Sequence, residues 1–185
     1  MPQRTGWCVW ITGLPGSGKS TVAKSLLRTL RKNGIKAQIL SSDLIRKAVT
    51  PEPDYSLGER DIVYNLIVCI ARVLVENNIN IILDATGNLR RYREHARKEI
   101  RRFMEAYVRS PLEVAVQRET RRRHFTHAPK GIYRKALEKE SRTVPGLGVP
   151  YEEPLNPEVT VDSSRLRPSQ CAEKIFEAMV KNFFS

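Results

Sequence analysis

One short segment, Gly13-Leu14-Pro15-Gly16-Ser17-Gly18-Lys19-Ser20-Thr21, constrains this chain more than any other feature. It satisfies G-x-x-x-x-G-K-[ST] and follows an apolar run, Trp7-Cys8-Val9-Trp10-Ile11, that reads as a short buried strand. Behind it Val22, Ala23, Leu26, Leu27 and Leu30 recur at helical spacing, and Asn33-Gly34 supplies a stop. Strand, glycine loop and helix together form a phosphate cradle. Successive backbone N–H groups converge on phosphate oxygens, and the helix N-terminus adds partial positive charge. Lys19 is placed to reach the β- and γ-phosphates, and the Ser20 hydroxyl to ligate Mg²⁺. The expected ligand is a nucleoside triphosphate.

The rest of the chain alternates strand and helix, which predicts a parallel sheet covered on both faces. Lys36–Leu40, Ile79–Leu83, Glu105–Val108 and Val159–Asp162 read as further strands. Helices are expected over about Glu59–Asn77, Arg90–Phe103, a segment opened by Ser110-Pro111 as N-cap and first residue, and Pro168–Phe184. From about Arg118 to Pro150 the periodicity dissolves, apart from a short helix near Tyr133 to Ser141. A long irregular stretch within a compact domain predicts a lid. The expectation is one three-layer α/β/α domain over residues 1–185, with a five-stranded parallel sheet and that lid.

Composition narrows the setting. No apolar run approaches the ~18 residues that a membrane span requires. The chain enters its first strand almost at once, without the regions of a signal peptide. Cys8, Cys69 and Cys171 lack metal spacing and read as small core residues in a reducing cytoplasm. The net charge of +12 is concentrated around Arg90–Arg102 and Arg118–Arg142. That excess favours an anionic partner, either a nucleotide or a nucleic acid.

In an open parallel sheet, ligands lie beyond the carboxyl ends of the strands. The second strand delivers Asp43, a carboxylate able to orient an acceptor hydroxyl or take its proton; it could equally cap a helix. The third delivers Asp84, a candidate Mg²⁺ ligand or a turn residue. Arg46, Arg60, Arg90, Arg93 and Arg118 are candidate anion clamps, with Arg46 and Arg118 foremost by position. His95, His124 and His127 form no ligand pattern and read as surface or lid residues.

With these residues in place, the chain resembles the adenylylsulfate (APS) kinase family of P-loop kinases over most of its length. The matching segments are Gly13–Thr21, Asp43-Leu44-Ile45-Arg46, Tyr55-Ser56 with Glu59-Arg60, and Ser110–Val114 with Gln117-Arg118. Lys130–Ala136 follows, and then Pro150-Tyr151-Glu152 with Pro154–Glu158, the most specific of the set. The resemblance implies ATP-dependent phosphorylation of the ribose 3′-hydroxyl of APS, giving ADP and 3′-phosphoadenylylsulfate. It implies ATP contacts from the Gly13–Thr21 loop and Arg118, and substrate contacts from Asp43, Arg46, Arg60, Lys130 and Tyr151. Lys19, Asp43 and Arg46 would serve the chemistry, Mg²⁺ would lie on Ser20 and Asp84, and a homodimer is an expected assembly.

The chain departs from that family's pattern at several points. Ser41-Ser42 precede Asp43, Val63 stands at a substrate-contacting Asn, and the lid carries an insertion over roughly Glu119 to Ala128. Asp84-Ala85-Thr86 with Arg90 and Arg93 is instead similar to the D-x-T-N…R pattern of polynucleotide and seryl-tRNA kinases. Two other readings therefore stand beside the first: a kinase acting on an RNA, tRNA or other metabolite hydroxyl, and a nucleotide-binding regulator with little turnover.

Overall fold

A computed structural model describes residues 5–50, 52–121, 131–138 and 141–184. Strand β1 (Cys8–Thr12) is buried along its whole length, as its uninterrupted apolar run requires. It lies at the centre of a sheet ordered β2-β3-β1-β4-β5, with β2 Gln38–Ser41, β3 Ile81–Asp84, β4 Phe103–Arg109 and β5 Val159–Asp162. Every pairing is parallel.

The period-two pleat of β1 sorts its side chains into two cores. Val9 and Ile11 face helices α1 (Lys19–Lys32) and α7 (Pro168–Met179), packing with Val22, Leu26, Ile175 and Met179. Cys8 and Trp10 face α3 (Leu57–Glu76) and α4 (Arg90–Glu99), packing with Tyr64, Ile67, Val68 and Tyr92. These are the three expected layers. A smaller cluster joins α5 (Leu112–Thr120) and α6 (Ile132–Leu137) through Ala115, Tyr133 and Val144, with Leu14 against it. Among the described residues no helix is long and apolar enough to cross a membrane.

Several boundaries differ from expectation. The helix expected over Arg90–Phe103 stops at Glu99, because Ile100 turns extended and Phe103 already pairs with Cys8 of β1. Pro111 is the N-cap of α5, with ψ of 144°, rather than its first helical residue. The last helix changes at Val180–Phe184 to a π-helical turn, in which Phe183 stacks on Trp7 at 5.6 Å. Of the three thiols expected in the core, Cys8 and Cys171 are buried, whereas Cys69 lies exposed on the outer face of α3.

Candidate active site

β1 lies between β3 and β4, so the connections leaving their carboxyl ends diverge there and open a crevice. The Gly13–Thr21 loop fills its floor. Gly16 adopts φ of +77°, and a Cβ there would stand 2.3 Å from the Ala115 carbonyl oxygen of α5, so only glycine fits. Lys19 Nζ reaches back to donate to Leu14 O at 2.9 Å. The loop is braced from outside by two contacts, the second of them held in turn by Arg118. The Tyr133 hydroxyl donates to Pro15 O at 2.8 Å, Ser163 Oγ donates to Ser17 O at 2.7 Å, and Arg118 Nη2 donates to Ser163 O at 2.7 Å.

Above the loop lies a cleft of about 570 Å³. Gly16, Gly18, Lys19, Ser20 and Thr21 line one side, and Asp43, Arg46, Tyr55, Arg60 and Tyr64 the other. Asp84 and Thr86 lie between them, and Arg118, Lys135 and Thr143–Pro145 complete the rim. A second cavity of about 250 Å³ opens on the other side of Gly18 and Arg118, walled by Val22, Leu166, Pro168 and Cys171. Arg118 is therefore shared by both.

Asp43 enters the cleft from the first turn of α2 (Ser42–Val49), whose N-cap is Ser41. The helix dipole favours a carboxylate there, and Asp43 is not itself the cap. Asp84 ends β3 in register with Ile11 of β1, which brings it beside the mouth of the phosphate loop. The following loop is fixed: Trp10 Nε1 donates to Ala85 O at 2.9 Å and Thr12 Oγ1 to Thr86 O at 2.6 Å.

The arginines divide by role. Arg46 is buried, ion-paired with Glu59, and stacked 4.7 Å over the Tyr55 ring; burial lowers its pKa from the usual guanidinium range. Arg60 donates from Nε to Tyr55 O at 3.0 Å and from Nη2 to Thr143 O at 2.5 Å, tying α3 to the far rim. Arg93 faces away from the cleft. It pairs with Glu105 at 2.6 Å and donates to Gly87 O and, at 2.6 Å, to Glu152 O. Arg90 is held by the Glu152 carboxylate at its backbone N–H (2.7 Å) and by Glu153 O at its Nε (2.8 Å). Neither Arg90 nor Arg93, both named as candidate anion clamps, lines the cleft; both are engaged with the Glu152-Glu153 segment instead.

Tyr151 also stands apart from the cleft-lining set. Its hydroxyl lies 3.0 Å from Thr12 Oγ1, and since Thr12 donates to Thr86 O, Tyr151 is the donor. Burial pushes the Tyr151 phenol well above its ordinary range. Lys130, His124 and His127 lie outside the described residues. Gly13, Leu14 and Ser17 shape the loop without lining the cleft. Thr86 and Lys135 lie within matched segments that assign them no role, and Val144 lies in no motif; folding brings all three to the rim.

Ser20 and Asp84 present a hydroxyl and a carboxylate beside the phosphate loop. The described residues hold no cluster of three or more His, Cys, Asp or Glu suited to a metal. Sparse oxygen ligation of this kind fits Mg²⁺, which retains water and takes phosphate oxygens, and does not fit a metal caged by protein.

The family model for adenylylsulphate kinase matches residues 5–162. A probable adenylyl-sulfate kinase of Pyrococcus abyssi is 42% identical over 170 residues, covering 92% of each chain. The adenylyl-sulfate kinase of a Synechococcus strain is 31% identical over 176 residues, covering 95% of each. The Mycobacterium tuberculosis APS kinase, solved in complex with AMPPNP and APS, superposes with a TM-score of 0.83 at 28% identity, over 95% of this chain and 98% of that one. On its phosphate loop, its strand order and these likenesses, the chain belongs to the adenylylsulphate kinase family.

Proposed function

We propose that this protein transfers the γ-phosphoryl group of MgATP to the 3′-hydroxyl of APS. The observation that carries the reading is that Asp43 and the loop residues Gly16 and Gly18–Thr21 line one and the same cleft. Two relatives at 42% and 31% identity bear the adenylyl-sulfate kinase name, and the Mycobacterium tuberculosis relative was solved with AMPPNP and APS.

The two cavities divide the substrates. The triphosphate lies along Gly16–Thr21, and the nucleotide base takes the smaller cavity, where Arg118 offers a planar guanidinium and Leu166 and Pro168 an apolar wall. The acceptor takes the larger cleft against Asp43, Arg46, Tyr55 and Arg60. Lys19 leaves Leu14 O to meet the β- and γ-phosphates, an exchange of a neutral acceptor for a charged one. Asp43 accepts a hydrogen bond from the acceptor hydroxyl, aligns its oxygen with the γ-phosphorus, and takes the proton as the new O–P bond forms and the bond to the β-phosphate oxygen breaks. Bound Mg²⁺, held by Ser20 and Asp84, supplies neutralisation of phosphate charge. Ile132, Lys135 and Thr143–Pro145, on the cleft rim, serve as the covering edge of the acceptor site. Free thiols at Cys8, Cys69 and Cys171 suit a reducing, cytoplasmic setting.

An RNA acceptor would draw on Arg90 and Arg93, and both are instead bonded to the Glu152-Glu153 segment. The experiment is an acceptor panel with γ-labelled ATP. Label is expected on APS and on no RNA oligonucleotide or sugar in the panel. Label on RNA, falling steeply with salt, overturns the assignment, and ATP binding without transfer to any acceptor points to a regulator.

A further inference from the structure

Ser56-x-x-Glu59 reads as a capping box, in which the glutamate would return to the Ser56 N–H. The structure departs from that pattern. Ser56 Oγ does accept from Glu59 N at 3.2 Å, but the Ser56 N–H donates to Asp54 Oδ1 at 2.8 Å. Glu59 is thereby released from capping, and its carboxylate is buried and turned toward the cleft wall. One oxygen pairs with Arg46. The other accepts the N–H groups of Asp54 at 2.6 Å and Tyr55 at 2.7 Å.

Those partners carry a local outlier. Tyr55 has φ of 58°, a left-handed conformation uncommon for a residue with a bulky side chain. Such conformations persist where the surroundings over-determine them, and they cluster at functional sites. Here the Tyr55 N–H is held by Glu59, its carbonyl by Arg60 Nε, and its ring by the Arg46 guanidinium stacked over it. Tyr55 and Arg46 both line the cleft, while Glu59 does not.

We infer that Glu59 is a positioning residue for the acceptor: one buried carboxylate fixes both the Tyr55 ring and the Arg46 guanidinium, so that the acceptor meets a preset aromatic and cationic wall. The inference rests on the proposed placement of the acceptor in the larger cleft. Preorganisation of this kind lowers the ordering cost of binding and leaves the reacting atoms untouched.

The test compares Glu59→Gln with Ser56→Ala. Glu59→Gln keeps the size and one carbonyl acceptor but loses the charge that holds Arg46. It is expected to raise the KM for APS by about tenfold or more while kcat and the KM for ATP stay within about threefold. Ser56→Ala removes the cap and lowers thermal stability, leaving the KM for APS unchanged. If the two variants share one phenotype, or if Glu59→Gln lowers kcat alone, Glu59 is a cap or a catalytic group and the inference fails. Amide exchange at Asp54 and Tyr55 reads the same grip with no acceptor present. Faster exchange in Glu59→Ala, which removes the acceptor oxygen, than in Ser56→Ala supports it, and unchanged exchange overturns it. Should the wild type label a different acceptor, the functional reading fails separately, and the same KM split is then read on that acceptor.

Discussion

Arg93 and Glu105 form a buried ion pair, Nε to Oε1 at 2.6 Å, beneath the loop that follows β3. The pair is one arm of a brace. The remaining guanidinium nitrogens bond Gly87 O and Glu152 O, so one side chain joins α4, β4, the Asp84–Asn88 loop and the segment after Pro150. Burial raises the Glu105 carboxyl pKa, while Arg93 and Arg97 pull it down.

Removing one member leaves a buried charge without its partner. Arg93→Met is therefore expected to cost roughly 3–5 kcal/mol of stability, measured by denaturant unfolding. The double variant Arg93→Met with Glu105→Leu should recover most of that loss, because apolar replacement of both partners is often close to neutral. A single variant that unfolds like the wild type would restore Arg93 as a candidate substrate clamp.

The contrast between Arg93 and Arg46 shows where reading the sequence stops. Both follow a carboxylate at a strand end, and charge spacing alone grouped them as anion clamps. Both are buried, and their partners sort them: Arg93 turns under the loop to Glu105, and Arg46, paired with Glu59, lines the cleft. The sheet was legible because β1 and β3 are apolar runs, each closed by a single polar residue (Thr12 and Asp84), and the phosphate loop because its glycines are demanded by backbone geometry. The position of Asp84 followed from strand direction alone. Helix ends were less legible, since Ile100 to Phe103 carries apolar residues that suit either a helix stripe or a strand. The diverted capping box was invisible for a further reason. Its sequence is that of an ordinary cap, and only the neighbouring Asp54 changes what Glu59 does.

Gly16→Ala tests the close approach of the loop to α5. The added Cβ would meet Ala115 O at 2.3 Å from a backbone at φ of +77°. Either the loop or α5 must shift, and the convergent N–H groups lose their aim. ATP affinity is expected to fall at least about tenfold, equivalent to ~1.4 kcal/mol, by calorimetry, with the sheet intact by circular dichroism.

Arg118 stands at the wall shared by the two cavities and is fixed by Ser163. Arg118→Ala should weaken ATP binding through loss of the planar surface against the base and of positive charge near the phosphates. A rise in the KM for ATP of about tenfold, with little change in the KM for APS, is expected from steady-state kinetics. Equal effects on both would place Arg118 in the acceptor site.

Glu158 carries a pH signature. Burial alone would raise its pKa, but hydrogen bonds from Arg97 and from the Glu105 N–H hold the carboxyl below the usual range. A depressed folded pKa means that the unfolded chain takes the proton first as pH falls. The stabilisation is present above the ordinary carboxylate pKa of about 4.3 and is lost as pH drops through the folded value. Glu158→Gln should therefore lower Tm at neutral pH, and its gap from the wild type should close below about pH 4. A gap that does not vary with pH would assign the effect to packing.

Asp43→Asn separates chemistry from binding. The asparagine keeps the size and a carbonyl acceptor in the first turn of α2, so the helix and the cleft wall should persist. It cannot take a proton from the acceptor hydroxyl. Loss of a general base typically costs 10²–10⁴ in rate, and kcat is expected to fall in about that range. Because Asp43 lies across the cleft from the phosphate loop, ATP affinity should be unchanged or slightly improved, a negative charge having been removed from near the γ-phosphate. A variant that retains near-wild-type kcat would leave Asp43 as a helix-dipole partner only, and the acceptor would then have to be oriented by Arg46 and Arg60 alone.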